Sequence, residues 1–326
     1  MEMQRISYID KLRGFAILLV VMGHITQLSL DIKESPFNYF YNSFHVPLFI
    51  FISGFLAANS INKLHIKEVS EICLFIKKKA VRLILPFIIV GGIYSLLCFH
   101  DFSVIYPGSF GYWYLPSLFY CFIVEILVGG AILFKKSWIS DIIIHIFVYL
   151  ILVTIYYGLN PSIPYYLWFI KMYPFFLFGI FCKRYLLVNN FIFDNRLCFT
   201  LSCLLYIILL PIVDIIHMPI AGFFAVVICV QIFKSFDEKI PSIFSILGQS
   251  SLAIYVFHYF LLPGKLSIGK SIISVLYPSE LLNNGNFVIT ACMSFILSLP
   301  VVFLCIVLEK IIKLSKWINL IVFGTK

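Results

Sequence analysis

Residues 9–29 read I-D-K-L-R-G-F-A-I-L-L-V-V-M-G-H-I-T-Q-L-S, an apolar run of spanning length that begins with Asp10 and Arg13 and carries His24 well inside it. A charged side chain at the bilayer centre costs about 3 kcal/mol or more, so such groups face a bundle interior or a wet cavity and mark a working site. Arg13 and His24 are 11 residues apart, which is about three turns plus 20°. That spacing puts both on one helix face, roughly 16 Å apart along the axis. One face then holds a cation at the inner end and an imidazole past the midplane.

Working outward, the composition points the same way. Of 326 residues, 62% are hydrophobic and 12% charged, against about 25% charged in soluble proteins. The expected class is therefore an all-α polytopic membrane protein forming one domain over residues 1–326. The N-terminal run lacks a small-residue cleavage site and reads as a retained helix. Nine cysteines occur without a C-x-x-C pair; most lie in apolar segments as small hydrophobes, so neither disulfides nor zinc are expected.

Apolar runs of spanning length fall at 12–30, 39–60, 83–100, 112–134, 139–157, 164–182, 197–213, 218–234, 243–263 and 286–309. Ten crossings place both termini on one side. With the N-terminus inside, 20 of the 24 Lys and Arg residues lie on the inner side, leaving Lys33, Lys171, Lys265 and Lys270 outside. That bias follows the positive-inside rule. The net charge of +9 is thus a topology signal, and a nucleic-acid partner is not expected.

The basic segment 63–82 mixes lysines with Ile72, Leu74, Phe75, Ile76 and Val81. It reads as an amphipathic helix at the inner interface, with Pro86 bending the chain into the next span. It suits lipid headgroups or a polyanion, since Lys79 and Arg82 share a face. The weakest span is 139–157, which holds His145. No internal repeat of the kind common in secondary transporters is visible.

Counting about 1.5 Å per residue puts His24 roughly 18 Å and His258 roughly 22 Å from the inner face, and His45 about 9 Å below the outer one. Three imidazoles at similar depth suggest a shared polar pocket, although each alone could be a packing partner. Lys171, about 10 Å below the outer surface, either snorkels or supplies charge to that cavity. Glu125 lies deeper and should pair with a base such as Arg13 or Arg82, as a structural ion pair or a proton relay. Pro47 and Ser53-Gly54 mark the second span as kinked and tightly packed.

Taken together, these residues resemble the acyltransferase family 3 proteins, integral-membrane enzymes that acylate surface polysaccharides and other exported glycans. The opening I-D-K-L-R-G-F-A-I-L-L-V-V-M-G-H matches their Arg, ten residues, His pattern through Arg13 and His24. In order follow P-L-F-I-F-I-S-G-F-L (47–56), the K-x-x-R of Lys79–Arg82 with L-I-L-P, W-Y-L-P (113–116), Y-P-F-F-L-F-G-I-F (173–181) and L-G-Q-S-S-L-A-I-Y-V-F-H (247–258). Lys79 stands where relatives often have Arg, which removes one bidentate phosphate grip. The periplasmic hydrolase-like domain appended in some relatives is not expected.

The resemblance implies transfer of an acyl group, acetyl foremost, from cytosolic acyl-CoA to a sugar hydroxyl. Arg13, Lys78, Lys79 and Arg82 would hold the donor's phosphates. His24 would act as general base, or less favourably carry the acyl group. Asp10 would orient the donor cations or merely stabilise the helix dipole. Ser53, Trp113, Tyr255 and His258 would shape the pocket, with His45, Glu125 and Lys171 as further lining groups. Expected partners are acyl-CoA, a carbohydrate acceptor, membrane lipid and, left open, a second copy of the chain; no metal is expected. The expected location is the bacterial cytoplasmic membrane. The rival readings are a glycan or lipid-linked sugar transporter and a membrane scaffold. Acceptor choice is expected to lie in 33–42, 102–112 and 263–286.

Overall fold

The computed structural model describes residues 6–32, 35–62, 69–100, 111–131, 138–159, 163–210, 218–265, 270–271, 273 and 286–325. Lys33, Lys63, Lys67, Lys135, Lys136 and most of 102–112 and 263–286 lie outside the described residues. Among the described residues the chain is helical, with no strand. Five helices are long and apolar enough to cross a membrane: Pro36–Ile61, Val69–Cys98, Trp138–Leu159, Tyr166–Arg184 and Phe287–Lys313. Counting each of two bent pairs as one span makes seven, and Tyr114–Val128 and Ile220–Ser235 are shorter apolar helices. The chain divides into two compact units, Met1–Ile52 with Asn190–Lys313, and Ser53–Asn189 with Leu314–Lys326.

The first unit is built on α1 (Ser7–Leu28), whose run of Leu, Ile and Val is buried almost throughout. It also holds α2 (Pro36–Asn42) and the start of α3 (His45–Asn62). Ser35 caps α2 by accepting from the Asn38 backbone N–H at 3.1 Å, with Pro36 at the first helical position, where its missing N–H is not needed. The break between α2 and α3 falls at Ser43–Phe44. Pro47, expected to kink this span, instead sits in the first turn of α3, where its missing donor again leaves no bond unmade.

The rest of the first unit comprises α10 (Arg196–Leu209), α11 (Met218–Ser235), α12 (Ile243–Gln249), α13 (Ser251–Phe257) and α14 (Phe287–Lys313). The intervening α9 (Leu186–Phe193) runs across the division between the units. In the first unit α1 packs on α11, α12, α13 and α14. Its crossing with α12 is backbone on backbone: a Cβ on Gly14 would lie 1.8 Å from the Phe244 carbonyl oxygen, and one on Gly248 1.9 Å from that of Asp10. In lipid, where no hydrophobic force drives helices together, such small-residue contacts permit close van der Waals packing. Lys11 anchors the same end through an ion pair of 2.9 Å with Asp237. Thr26 Oγ1 and Ser294 Oγ, 2.6 Å apart, join α1 to α14.

The run 243–263, expected as one straight span, is broken: Ile243–Gln249 and Ser251–Phe260 meet at 66°. The depth counted along a straight helix for His258 therefore does not apply. The residue sits in a 3₁₀ turn, His258–Phe260, that follows α13 directly.

The second unit contains the end of α3, then α4 (Val69–Pro86), α5 (Gly92–Phe99), α6 (Tyr114–Ala131), α7 (Trp138–Leu159), α8 (Tyr166–Arg184) and α15 (Lys316–Phe323). Within it α6 packs on α4 and α8, and α15 on α4. In place of the expected bend at Pro86, the helix that begins in the basic segment runs on continuously over Val69–Cys98. Pro86 is followed directly by a π-helical stretch, Phe87–Gly91, a local widening of the helix of the kind found where the ladder is disturbed. Midway along α3, Gly54 lets the chain approach α8: a Cβ there would lie 2.0 Å from the Phe176 carbonyl oxygen.

Candidate functional site

In the first unit, the lower turns of α1 present Arg13, half-buried, and its upper turns His24, also half-buried. The unbroken helix Ser7–Leu28 keeps both on one face, as the spacing predicts. The bend at Ser250 then brings the turn after α13 against His24. His24 Nδ1 lies 2.9 Å from His258 Nε2, and the two rings stack with centroids 5.0 Å apart. His24 Nε2 lies 2.9 Å from the Tyr259 hydroxyl, and His258 Nδ1 2.9 Å from the Ile254 carbonyl oxygen.

The proton positions in this chain follow from what each partner can do. The Ile254 carbonyl only accepts, so His258 carries its proton on Nδ1 and, when neutral, a lone pair on Nε2. His24 Nδ1–H donates to that lone pair. His24 Nε2 is then the free basic nitrogen, and the Tyr259 O–H donates to it. Reversing the two links on either side of His24 would protonate both nitrogens of His258, a fully buried residue, with no carboxylate hydrogen-bonded to it among the described residues. Burying an unpaired charge is far costlier than the neutral arrangement. His258 thus fixes both the ring orientation and the tautomer of His24.

Of the other residues expected at this site, His45 is buried but hydrogen-bonds through Nδ1 to the Tyr41 carbonyl oxygen at 2.7 Å. Tyr41 in turn donates to the Gly23 carbonyl oxygen at 3.1 Å. His45 therefore supports the backbone beside His24 and does not join the His24–His258 pair. Tyr255 is buried one turn before His258, its ring 6.1 Å from that imidazole. Asp10 lies half-buried in the first turn of α1, its backbone oxygen against Gly248.

The remaining expected residues belong to the second unit. Ser53 Oγ lies 3.1 Å from the Tyr114 hydroxyl. Trp113 stacks on Trp168 at 4.4 Å, and the Lys171 ammonium sits 5.5 Å from the Trp168 centroid, a cation–π contact. Lys78 and Arg82 are exposed on α4. Lys79 is not: its ammonium lies 3.9 Å over the Phe122 ring and 5.1 Å from the Phe75 ring.

Glu125 is fully buried, and its expected pairing with Arg13 or Arg82 is not found. Its Oε1 accepts from Arg184 Nη2 at 2.9 Å, and its Oε2 faces His145 Nε2 at 3.0 Å. Arg184 Nη1 also donates to Asp141 Oδ2 at 2.7 Å. Just past the end of α8, the Tyr185 hydroxyl donates to the same oxygen at 2.6 Å, and burial together with that carboxylate pushes the phenol up to about 12. Tyr259, Arg184, Asp141 and Tyr185 were not legible as site members from spacing alone. The signals that could have found them are the adjacency of Tyr259 to His258 and the i, i+4 placement of Asp141 and His145 on an otherwise apolar helix.

Among the described residues the chain is helical, with several helices long and apolar enough to cross a membrane, and the half-buried His24 and buried His258 lie beside the Tyr259 hydroxyl. The chain belongs to the acyltransferase 3 family, whose model, described as an acyltransferase domain, matches residues 6–308. It is 29% identical over 189 residues to the nodulation protein NolL of Sinorhizobium fredii (strain NBRC 101917 / NGR234), an alignment covering 52% of this chain and 46% of that protein. The chain thus spans about half the length of the curated relative it matches. No solved structure matches it.

Proposed function

We propose that this chain is an O-acyltransferase of the bacterial cytoplasmic membrane. It moves an acyl group, acetyl foremost, from cytosolic acyl-CoA to a hydroxyl of an exported sugar or polysaccharide. The observation that carries this reading is the His24 ring, whose Nε2 lone pair already receives a hydroxyl proton at 2.9 Å, the reach a general base requires. An acceptor hydroxyl takes the place of the Tyr259 hydroxyl there. His24 Nε2 removes its proton as the oxygen forms a bond to the thioester carbonyl carbon. The C–S bond breaks, and the imidazolium returns the proton to the leaving thiolate, giving ester and free CoA.

Support for the donor end is the half-buried Arg13 on the same helix face and the exposed Lys78 and Arg82, four residues apart on α4. With its ammonium over Phe122, Lys79 contributes positive field more than direct phosphate contact. Ten crossings with both termini inside remain our topology, resting on the charge bias of the inner segments. The test is transfer of radiolabelled acetyl from acetyl-CoA to envelope glycan by membranes carrying the protein. His24→Ala should lower the rate about 10²- to 10⁴-fold with glycan export unchanged. Lost export with acylation intact would instead support the transporter.

A further inference from the structure

The acyl-transfer scheme makes no use of the ionisable cluster in the second unit, whose geometry fixes its proton content. His145 Nδ1 faces the Asp141 carbonyl oxygen at 2.8 Å and Asp141 Oδ1 at 3.2 Å, while its Nε2 faces Glu125 Oε2 at 3.0 Å. A carbonyl oxygen cannot donate, so Nδ1 carries a proton. Glu125 and Asp141 both accept from the Arg184 guanidinium, which holds them as carboxylates. Nε2, facing one of those carboxylates, therefore carries a second proton. Two carboxylates, one guanidinium and one imidazolium sum to zero. Without the extra proton the site would hold a net negative charge among Glu125, Asp141 and His145, each at most 2% exposed, an arrangement that burial strongly opposes.

We propose that Glu125, Asp141, His145 and Arg184 form a proton-binding site, its proton held as the second N–H of the His145 ring, and that this proton secures α7 to α6 and α8. Asp141 and His145 are the only residues of α7 that are buried. The helix is otherwise turned outward, with Ile143, Phe147 and Leu150 among its exposed residues. Its attachment runs through polar contacts, the means by which helices hold together in lipid. From α6 the group facing the ring is Glu125, and from α8 and the residue after it Arg184, Tyr185 and the edge of Phe181, 5.2 Å from the imidazole. Cys121 and Tyr173, buried on the same two helices, make no hydrogen bond to the cluster among the described residues. Raising the pH removes the proton and leaves an uncompensated carboxylate; lowering it does not.

The test is nitrogen NMR of the full-length protein, labelled at histidine, in lipid bilayers, with the His145 signals identified by their loss in His145→Asn. Both His145 nitrogens should be protonated at neutral pH. In Glu125→Gln, whose amide can accept from Arg184 and donate to Nε2, one nitrogen should become unprotonated at the same pH. An unprotonated nitrogen in the unmodified protein would overturn the site, and that reading does not depend on how any Glu125 variant folds. Hydrogen exchange of 138–159, corrected for its intrinsic pH dependence, should accelerate at alkaline pH in the unmodified protein and lose that dependence in Glu125→Gln. The same acceleration in both would overturn the role of the proton in securing α7.

Discussion

Replacing His258 with phenylalanine keeps an aromatic ring of similar size but removes the acceptor 2.9 Å from His24 Nδ1. The His24 N–H then loses its partner, and a buried donor left unsatisfied costs about 1–3 kcal/mol. Because His258 no longer selects the tautomer, part of the His24 population carries its proton on Nε2 and cannot act as base. At about 1.4 kcal/mol per tenfold change in rate, the penalty corresponds to a fall in kcat of roughly 5- to 150-fold. KM for acyl-CoA should hardly change, since His258 touches His24, eleven residues along α1 from Arg13. His258→Gln, whose side-chain oxygen can stand near the former Nε2, should recover most of the loss. The assay is initial-rate acetyl transfer at saturating acetyl-CoA, with His24→Ala as the inactive reference. A His258→Phe kcat within about twofold of the parent would refute the tautomer argument.

Tyr259→Phe should retain acyl transfer, because the acceptor hydroxyl takes over the same lone pair; loss of product in a rate assay would show that the phenol has a chemical part of its own. Gly14→Ala places a Cβ 1.8 Å from the Phe244 carbonyl oxygen, where ordinary carbon–oxygen contacts are about 3.3 Å. Overpacking of this kind costs about 1–3 kcal/mol or more, so thermal unfolding in detergent should occur several degrees lower, and an unchanged midpoint would contradict the backbone crossing. Arg184→Leu strands Glu125 and Asp141 in a buried site. Breaking such a network typically costs 3–5 kcal/mol, so the variant should accumulate poorly in membranes by immunoblot, whereas parent-like levels would mean the cluster is not stabilising.

The helical, apolar character of the chain and the placement of Arg13 and His24 on one unbroken helix were legible because periodicity and hydropathy act locally. The partner of Glu125 was not, since Arg13, Arg82 and Arg184 all stand near span ends and composition cannot rank them. Likewise 243–263 reads as one apolar run: the bend at Ser250 arises without proline, in G-Q-S-S, where Gly248 is already committed to the α1 crossing. That bend decides which residues meet His24, and it brings in Tyr259, which no spacing rule connects to residue 24. Pro47 misleads for a related reason: proline disturbs a helix only where its absent donor is missed, and a first turn does not miss it; Pro86 is passed within a continuous run that turns π-helical directly after it.

The contact between Gly14 and Gly248 has no side chain in it, so there is nothing there for a compensating change to trim. A bulkier residue at either position can be accommodated only by shifting a whole helix, and α1 carries the imidazole proposed as the base. Side-chain contacts elsewhere in the unit can therefore drift, while this pivot offers almost no room for redesign.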